Sequence, residues 1–331
     1  MNLRSLRYVI EVSRQGNHIS RAAEVLHASQ PGVSKHIQIV ESELGFEIFS
    51  RKRNRIVGLT EPGRELLARA QRIVSDIDSL RRLGEEYADR DGGALTIATT
   101  HTQARYVLPR VIEKFIHGHP LVTLGLRQGD PVQIYELVES GAVDMAIGPQ
   151  TTRKFPNLVM LPCSKLARSV VAKAGHPILR AKKLTLEEIA KYPIITHDPV
   201  YSGRWGVMDA FQKAGLQPNV IFAAMNVDVS KTYVALGLGI AILTTISFDR
   251  SYDKSLRARD AGHLFAPSTT LIVLKPNSYL RSFVFDLIES LAPQLTAERV
   301  KKALSESTAR ETQSEGMAIA LPYRIYDTPT S

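Results

Sequence analysis

Two groups of residues have the types and spacing to do chemistry, and in both it is the chemistry of binding. The first is Gln30, Ser34, Lys35 and Gln38, with Ser29 and Pro31 leading into it. Amides, a hydroxyl and an ammonium, with no acid among them, can bond phosphate oxygens or base edges. The second is Thr99, Thr100, Thr102 and Gln103, matched further along by Tyr201-Ser202-Gly203-Arg204. Hydroxyls and free backbone N–H groups at helix starts can hold a small carboxylate or oxyanion without a metal. Residues of this kind also serve as plain helix caps. Catalytic parts are missing: there is no GxSxG, P-loop, HExxH or CxxC pattern. His117 and His119 stand two apart, which does not place them on one helix face for a metal. The expectation is a protein without cofactor or metal that is not an enzyme.

The first group needs a helix to present it. In NHISRAAEVLHASQPGVSKHIQIVESEL, residues 17 to 44, Ile19, Ala23 and Leu26 fall at helical spacing. Small Ala22 and Ala23 let a second helix cross closely, and His27 and Ala28 make the turn. Ser29 stands at an N-cap position and Pro31 in the first turn, where its missing N–H costs nothing. Val33, Ile37, Val40 and Leu44 come next at steps of four, three and four, so they face inward and Gln30, Ser34, Lys35 and Gln38 face out. The pattern is a helix-turn-helix with its recognition helix second. A surface helical hairpin of an enzyme has the same pattern, so the residues after the pair decide between the two.

A first helix precedes the pair from Leu3 to Gln15, and Gly16 ends it. After the pair comes GFEIFSRKRNRIVGLT, residues 45 to 60, read as a two-stranded hairpin with four bases among the five residues 51 to 55. Arg51, Lys52, Arg53 and Arg55 beside a recognition helix form a wing able to reach backbone or minor groove. His27 and His36 are expected to meet phosphate or solvent. Thr60, Glu61 and Pro62 then open a long helix. Its stripe of Leu66, Leu67, Ala70, Ile73, Val74, Ile77, Leu80 and Leu83 needs a partner, and a second copy of the chain is the simplest one.

From Ala94 to about Val300 strands and helices alternate. Two similar sets of strand–helix units, with the chain crossing twice between them, predict two lobes around a cleft. A ligand then belongs at the carboxyl ends of the strands. The second group lies there, Thr99, Thr100 and Thr102 at a strand end and Ser202 at a helix start in the other lobe. The stretch from about Ser305 is polar and is read as a loosely docked tail.

Composition agrees. The chain has 331 residues, is 44% hydrophobic and carries a formal charge of +9, which suits a polyanionic partner. Its single cysteine, Cys163, allows no intrachain disulfide and reads as a core residue in a reducing compartment. No apolar run reaches membrane-spanning length, and the first residues lack a signal-peptide pattern, so a cytoplasmic protein is expected rather than a transport solute-binding protein.

Residues 1 to about 300 resemble the LysR-type transcriptional regulators. The motifs that carry the resemblance are RAAEVLHASQPGVSKHIQIVESELGFEIFSR, LTEPG, VDMAIG and ALGLGIAIL. Within that family, IATTHTQARYVLP, RQGDPVQI, VMLPC, KTYVALGLG and HLFAPSTT resemble the cysteine-regulon branch. The resemblance implies an α/β chain with an N-terminal all-α winged helix-turn-helix, and an effector domain of two Rossmann-like lobes like type 2 periplasmic binding proteins. It assigns residues 1–59 to DNA binding, 60–91 to the linker helix and 92–300 to effector binding. The lobes are 92–163 with 268–300, and 164–267, and residues 301–331 form the tail. It implies double-stranded promoter DNA as partner, a homodimer through the linker helix and a homotetramer, and RNA polymerase as a further partner. The effectors implied are acetylserines, sulfate, thiosulfate or adenylyl sulfate, for genes of sulfate uptake and reduction or sulfonate use. DNA contacts fall to Ser29, Gln30, Pro31, Ser34, Lys35, Gln38, Arg51, Arg53 and Arg55. The effector pocket falls to Thr100, Thr102 and Gln103, with Ser202 opposite, where the family has threonine.

Two positions depart from the family. Asp130 stands where a small hydroxyl is more usual, and Pro149 where threonine is. Proline removes an N–H as well as a hydroxyl. A carboxylate in the pocket would disfavour a bare anion and suit an ammonium, as in O-acetylserine. Asp130 equally reads as the cap of its own helix.

Overall fold

The computed structural model describes residues 1–309 apart from 54, 89–91, 152, 199–201 and 277. The chain divides into two compact units, residues 1–85 with 277–279, and residues 86–276 with the segment from 280 onward. No helix among the described residues is long and apolar enough to cross a membrane.

The first unit holds α1 (Leu3–Arg14), α2 (Ile19–Val25), α3 (Gln30–Leu44), the hairpin β1 (Phe49–Lys52) and β2 (Arg55–Leu59), and α4 (Glu61–Ala88). Asn2 caps α1 through Oδ1, which accepts from the Ser5 N–H at 2.9 Å. Gly16, at φ +64°, turns the chain into α2. Val9, Val12, Ala22, Ala23, Val33, Ile37, Val40, Ile48 and Phe49 close one core. Leu44, expected inside, is exposed. It ends the helix just before Gly45 turns the backbone left-handed, one turn beyond the reach of that core.

Thr60 caps α4, its hydroxyl oxygen accepting from the Gly63 N–H at 3.0 Å. The first turn of α4 lies so close to the hairpin that a Cβ on Gly63 would overlap the Ile48 carbonyl. Gly63→Ala is therefore expected to cost about 1–3 kcal/mol of this unit's stability. Its melting temperature would show the loss, while Gly84→Ala, where a Cβ meets nothing, should not lower it. Further along α4, Ala70 packs with Leu6 and Ile10, whereas Ile73, Leu80 and Tyr87 are exposed.

The second unit starts with β3 (Gly93–Thr99), a π-helical turn (Gln103–Val107), α5 (Leu108–Gly118), β4 (Val122–Gln128), α6 (Pro131–Glu139), β5 (Met145–Pro149) and β6 (Val159–Leu166). Next come β7 (Arg168–Lys173), a short 3-10 turn at Pro177–Arg180, α7 (Leu186–Ala190), β8 (Ile194–His197), α8 (Ser202–Lys213) and β9 (Val220–Ala224). The remainder is α9 (Val227–Ala235), β10 (Ile240–Thr244), β11 (Leu256–Asp260), β12 (Ser268–Leu274), α10 (Ser282–Leu291) and α11 (Ala297–Ala309).

These strands make two mixed sheets of the same plan. One runs β4-β3-β5-β12-β6 and the other β11-β7-β10-β8-β9. In each, three strands are parallel (β4, β3, β5 and β9, β8, β10), a fourth (β12 or β7) runs antiparallel beside them, and the outermost (β6 or β11) is antiparallel to that fourth strand. Cys163 is buried in the first lobe's core with Ile97, Met145, Ile272 and Leu287. β6 continues to Leu166, so the chain crosses at Ala167, beyond the expected limit at 163. Cys163, Ser164 and Leu166 are all buried, which holds that stretch in the first sheet. Val300 and Leu304 also belong to the first core. The helix therefore runs on to Ala309, where the expected domain division began a tail at 301 and polarity suggested one from about Ser305.

Candidate functional site

α3 presents its outer face as the apolar spacing requires. Gln30, Lys35 and Gln38 are exposed, Ser34 is half-buried, and Val33, Ile37 and Val40 lie beneath. Ser29 is the cap, its hydroxyl oxygen accepting from the Gly32 N–H at 3.2 Å, with Pro31 in the first turn. Gln30 Oε1 accepts from the Ser20 hydroxyl at 3.4 Å, which ties the two helices at the start of that face. His27 is exposed in the turn at φ +47°. His36 is not a surface group. Its Nδ1 lies 2.9 Å from Ser5 Oγ, and its ring packs edge-on to Tyr8 with centroids 4.7 Å apart, so it joins α1 to α3.

The wing's bases divide. Lys52, Arg53 and Arg55 are exposed, with Arg53 at φ +48° near the tip. Arg51 is exposed as well, but its guanidinium is paired with Glu41, its Nη2 2.8 Å from Oε2. The other oxygen of Glu41 accepts from the N–H groups of Ile48 at 2.9 Å and Phe49 at 3.3 Å. Glu41 thus fastens the hairpin to α3, and Arg51 shares in that fastening.

In the second unit, Thr99 ends β3 and its hydroxyl donates to the Ile147 carbonyl at 2.7 Å. Thr100 is buried and Thr102 half-buried. The next helix opens with the π-helical turn, a wider coil that recurs at functional sites. The turn puts Gln103 inside, where Nε2 donates to Thr270 Oγ1 at 3.0 Å and Oε1 is buried without a partner among the described residues. Pro149 ends the neighbouring β5, and its carbonyl accepts from the Tyr135 hydroxyl at 2.7 Å. Thr99, Thr100 and Pro149 thereby gather at the carboxyl ends of parallel strands, with Gln103 on the turn just beyond. Ser202 opens α8 after β8 in the other sheet; its side chain lies outside the described residues.

Asp130 takes the capping role. Its Oδ1 accepts from the N–H groups of Val132 at 2.8 Å and Gln133 at 3.0 Å, and Gln133 Oε1 accepts from its own N–H at 3.1 Å. This capping box ties the carboxylate to α6. Oδ1 is thereby committed to the cap.

The other side of the π-helical turn carries a network that the sequence did not suggest. Asp228, in the first turn of α9, bonds His101 Nε2 at 2.6 Å, Arg105 Nε at 3.2 Å and the Tyr106 hydroxyl at 2.5 Å. Lys231, one turn on, donates to the Tyr106 oxygen at 2.8 Å, the Ser247 carbonyl at 3.0 Å and Asp253 at 3.0 Å. Burial raises the Asp228 pKa, but the bonds from His101 and Tyr106 and the charge of Lys231 outweigh it and hold the group at about 2. Its stabilising share is complete above the ordinary carboxylate pKa and is lost only as pH falls through about 2. The latch between the lobes therefore stays charged at any physiological pH. One signal was there to read: Lys231 occupies the inner face of an apolar helix, four residues after Val227 and three before Val234.

His197, at the end of β8, responds to acid differently. Burial first, and then the charge on Arg168, push its pKa down to about 4. A depressed histidine adds stability that is whole above its ordinary value, about 6.5, and declines as pH falls toward the folded value. The effector domain's melting temperature should fall through that window. His197→Gln should flatten the fall, and an unchanged profile would contradict the assignment.

A winged helix-turn-helix with an acid-free recognition face, in one chain with two α/β lobes whose strand ends meet, defines a DNA-binding regulator with a ligand-sensing domain. The chain belongs to the LysR family. Residues 3–64 match the bacterial regulatory helix-turn-helix protein of the lysR family, and residues 88–296 match the LysR substrate binding domain. It is 44% identical over 304 residues to the transcriptional regulator CysB of Burkholderia cenocepacia, covering 92% of this chain and 97% of that protein. SsuR of the same organism is 43% identical, covering 93% and 100%. The regulator cbl of Escherichia coli K12 is 39% identical, covering 94% and 98%. Each bears the name of a transcriptional regulator, none that of an enzyme. Among solved structures, the cofactor-binding domain of the Cbl transcriptional regulator superimposes with a TM-score of 0.62 at 38% identity, over 65% of this chain and 94% of that one. A full-length OxyR variant from Pseudomonas aeruginosa shares the fold at a TM-score of 0.65 and 22% identity, over 88% and 97%.

Proposed function

We propose that this regulator controls genes of sulfur assimilation and cysteine synthesis in response to a small sulfur-pathway effector. The observation that carries the reading is likeness to CysB, SsuR and cbl along nearly the whole of each chain. SsuR matches almost as well as CysB, which favours genes of sulfonate use as the second reading. In this account Gln30, Ser34, Lys35 and Gln38 meet the major groove, with Ser29 and Pro31 setting the start of the helix. Lys52, Arg53 and Arg55 meet phosphates.

The effector sits at the carboxyl ends of the strands against Thr100, Thr102, Gln103 and the start of α8 at Ser202. Dimerisation runs through α4. Its exposed Ile73, Leu80 and Tyr87 recur every seventh residue, the repeat of a coiled-coil seam. A second copy places a second recognition helix for a second half-site, and pairs of dimers make the tetramer. Effector binding changes the relation of the lobes and so the DNA bend, with RNA polymerase downstream in the cytoplasm.

Calorimetric titration of the full chain with O-acetylserine, N-acetylserine, sulfate, thiosulfate and adenylyl sulfate tests the reading. Binding of at least one is expected, and it should weaken in Thr100→Val. Silence from folded protein toward all of them would remove the sulfur assignment.

A further inference from the structure

Arg168 is the first residue of β7 and is only 3% exposed. Its Nε donates to the Ala266 carbonyl at 3.1 Å, and among the described residues no carboxylate pairs with it. A guanidinium removed from water without a counter-charge is costly. Burial lowers its pKa to about 10, which leaves it charged at neutral pH. Such a position is stable only at the expense of the fold around it, unless an anion arrives from outside.

The place is right for a ligand. Arg168 pairs across the sheet with Thr244, the last residue of β10, whose hydroxyl is buried without a partner among the described residues. β10 runs parallel to β8, which ends at His197, so Arg168 stands at the carboxyl edge of the second lobe's parallel strands. The first lobe's contribution is tied to the same short returning segment. Arg168 is anchored at Ala266 and Gln103 at Thr270, and four residues of chain span at most about 14 Å. Gln103 Oε1, buried and unpartnered, calls for a donor, as Arg168 calls for an acceptor.

We propose that Arg168, with Thr244 beside it, is the anion-recognising residue of the effector site. It takes the carboxylate or sulfur oxyanion of the ligand while Gln103 accepts from a hydroxyl or N–H on the same molecule. The preferred class is a small oxyanion that also carries a donor. This rests on the effector reading above and adds the charge that Thr100, Thr102, Gln103 and Ser202 lack.

The test is calorimetry on the full chain with N-acetylserine, its uncharged carboxamide and inorganic sulfate, with melting curves of the ligand-free protein. In the wild type the acid should bind at least 30-fold more tightly than the carboxamide. Arg168→Met should lose that preference and any sulfate binding, Arg168→Lys should retain part of it, and Thr244→Val should weaken the acid about tenfold. Ligand-free Arg168→Met should melt no lower than the wild type, because an uncompensated charge has gone. A merely structural clamp on Ala266 would instead lower the melting temperature and leave affinity intact. Sulfate binding that depends on Arg168 without any binding of N-acetylserine would support the cation and point to the sulfur oxyanion as ligand. Equal binding of acid and carboxamide by the wild type, which needs no variant to fold, would overturn the proposal and leave the effector reading standing. Silence toward all three probes would overturn the proposal, and silence toward O-acetylserine, thiosulfate and adenylyl sulfate as well would remove the effector reading.

Discussion

Replacing Lys231 with methionine is expected to cost the effector domain about 3 kcal/mol, the lower end for breaking a buried ion pair. At roughly 2–4 °C per kcal/mol for a domain of this size, the melting temperature should fall by about 6–12 °C. The lysine is 7% exposed and bonds Asp253, Tyr106 and the Ser247 carbonyl, with Asp228 3.2 Å away. Methionine fills the space but leaves two carboxylates without their cation. Asp228 keeps His101 and Arg105, so Asp253 bears most of the loss. The double variant Lys231→Met, Asp253→Asn should therefore melt higher than the single one. The same substitution loosens the π-helical turn that carries Gln103, so effector affinity should fall as well. A melting temperature within about 2 °C of the wild type would refute this account of the latch.

The second large effect concerns the wing. Removing Lys52, Arg53 and Arg55 together should make the plot of log affinity for duplex DNA against log salt shallower by about 2.7, at about 0.9 per phosphate contact. Binding at physiological salt should weaken by an order of magnitude or more. Arg51→Ala makes the contrast. Its partner is Glu41, which also holds the hairpin's N–H groups. That variant should leave the salt slope unchanged and lower the melting temperature of the DNA-binding unit. If Arg51→Ala flattens the slope by as much as each of the three tip bases does, the division of the four bases is wrong.

The helix-turn-helix could be read because its determinants are local. Val33, Ile37 and Val40 repeat at helical steps, Ser29 caps, and Ala22 and Ala23 make the crossing, all within one stretch of chain. The alternating lobes were legible for the same reason, strand by strand, although the short β8 and β11 and the one-turn α7 carry too few residues for a period to show. The π-helical turn was not legible. Its side chains bond partners more than a hundred residues away, Gln103 to Thr270 and Tyr106 to Asp228. The pairing of Arg51 with Glu41 was hidden by the same kind of distance effect, since Glu41 lies on the preceding helix. Asp130 was ambiguous by chemistry, because a carboxylate at a helix start looks the same whether it caps or binds. Val300 and Leu304 were hidden by the charged residues between and around them, which cover only the outer face of α11.

In the proposed function, a ligand held at the strand ends of the effector domain alters how the paired recognition helices engage DNA. Footprinting and DNA-bend measurements of the full chain on a promoter for sulfate uptake, with and without N-acetylserine and sulfate, test it directly. Two half-sites should be protected one helical turn or a multiple apart, with a change in footprint length or bend when effector is added. The same footprint and bend with effector bound, shown by calorimetry under the same conditions, would contradict it.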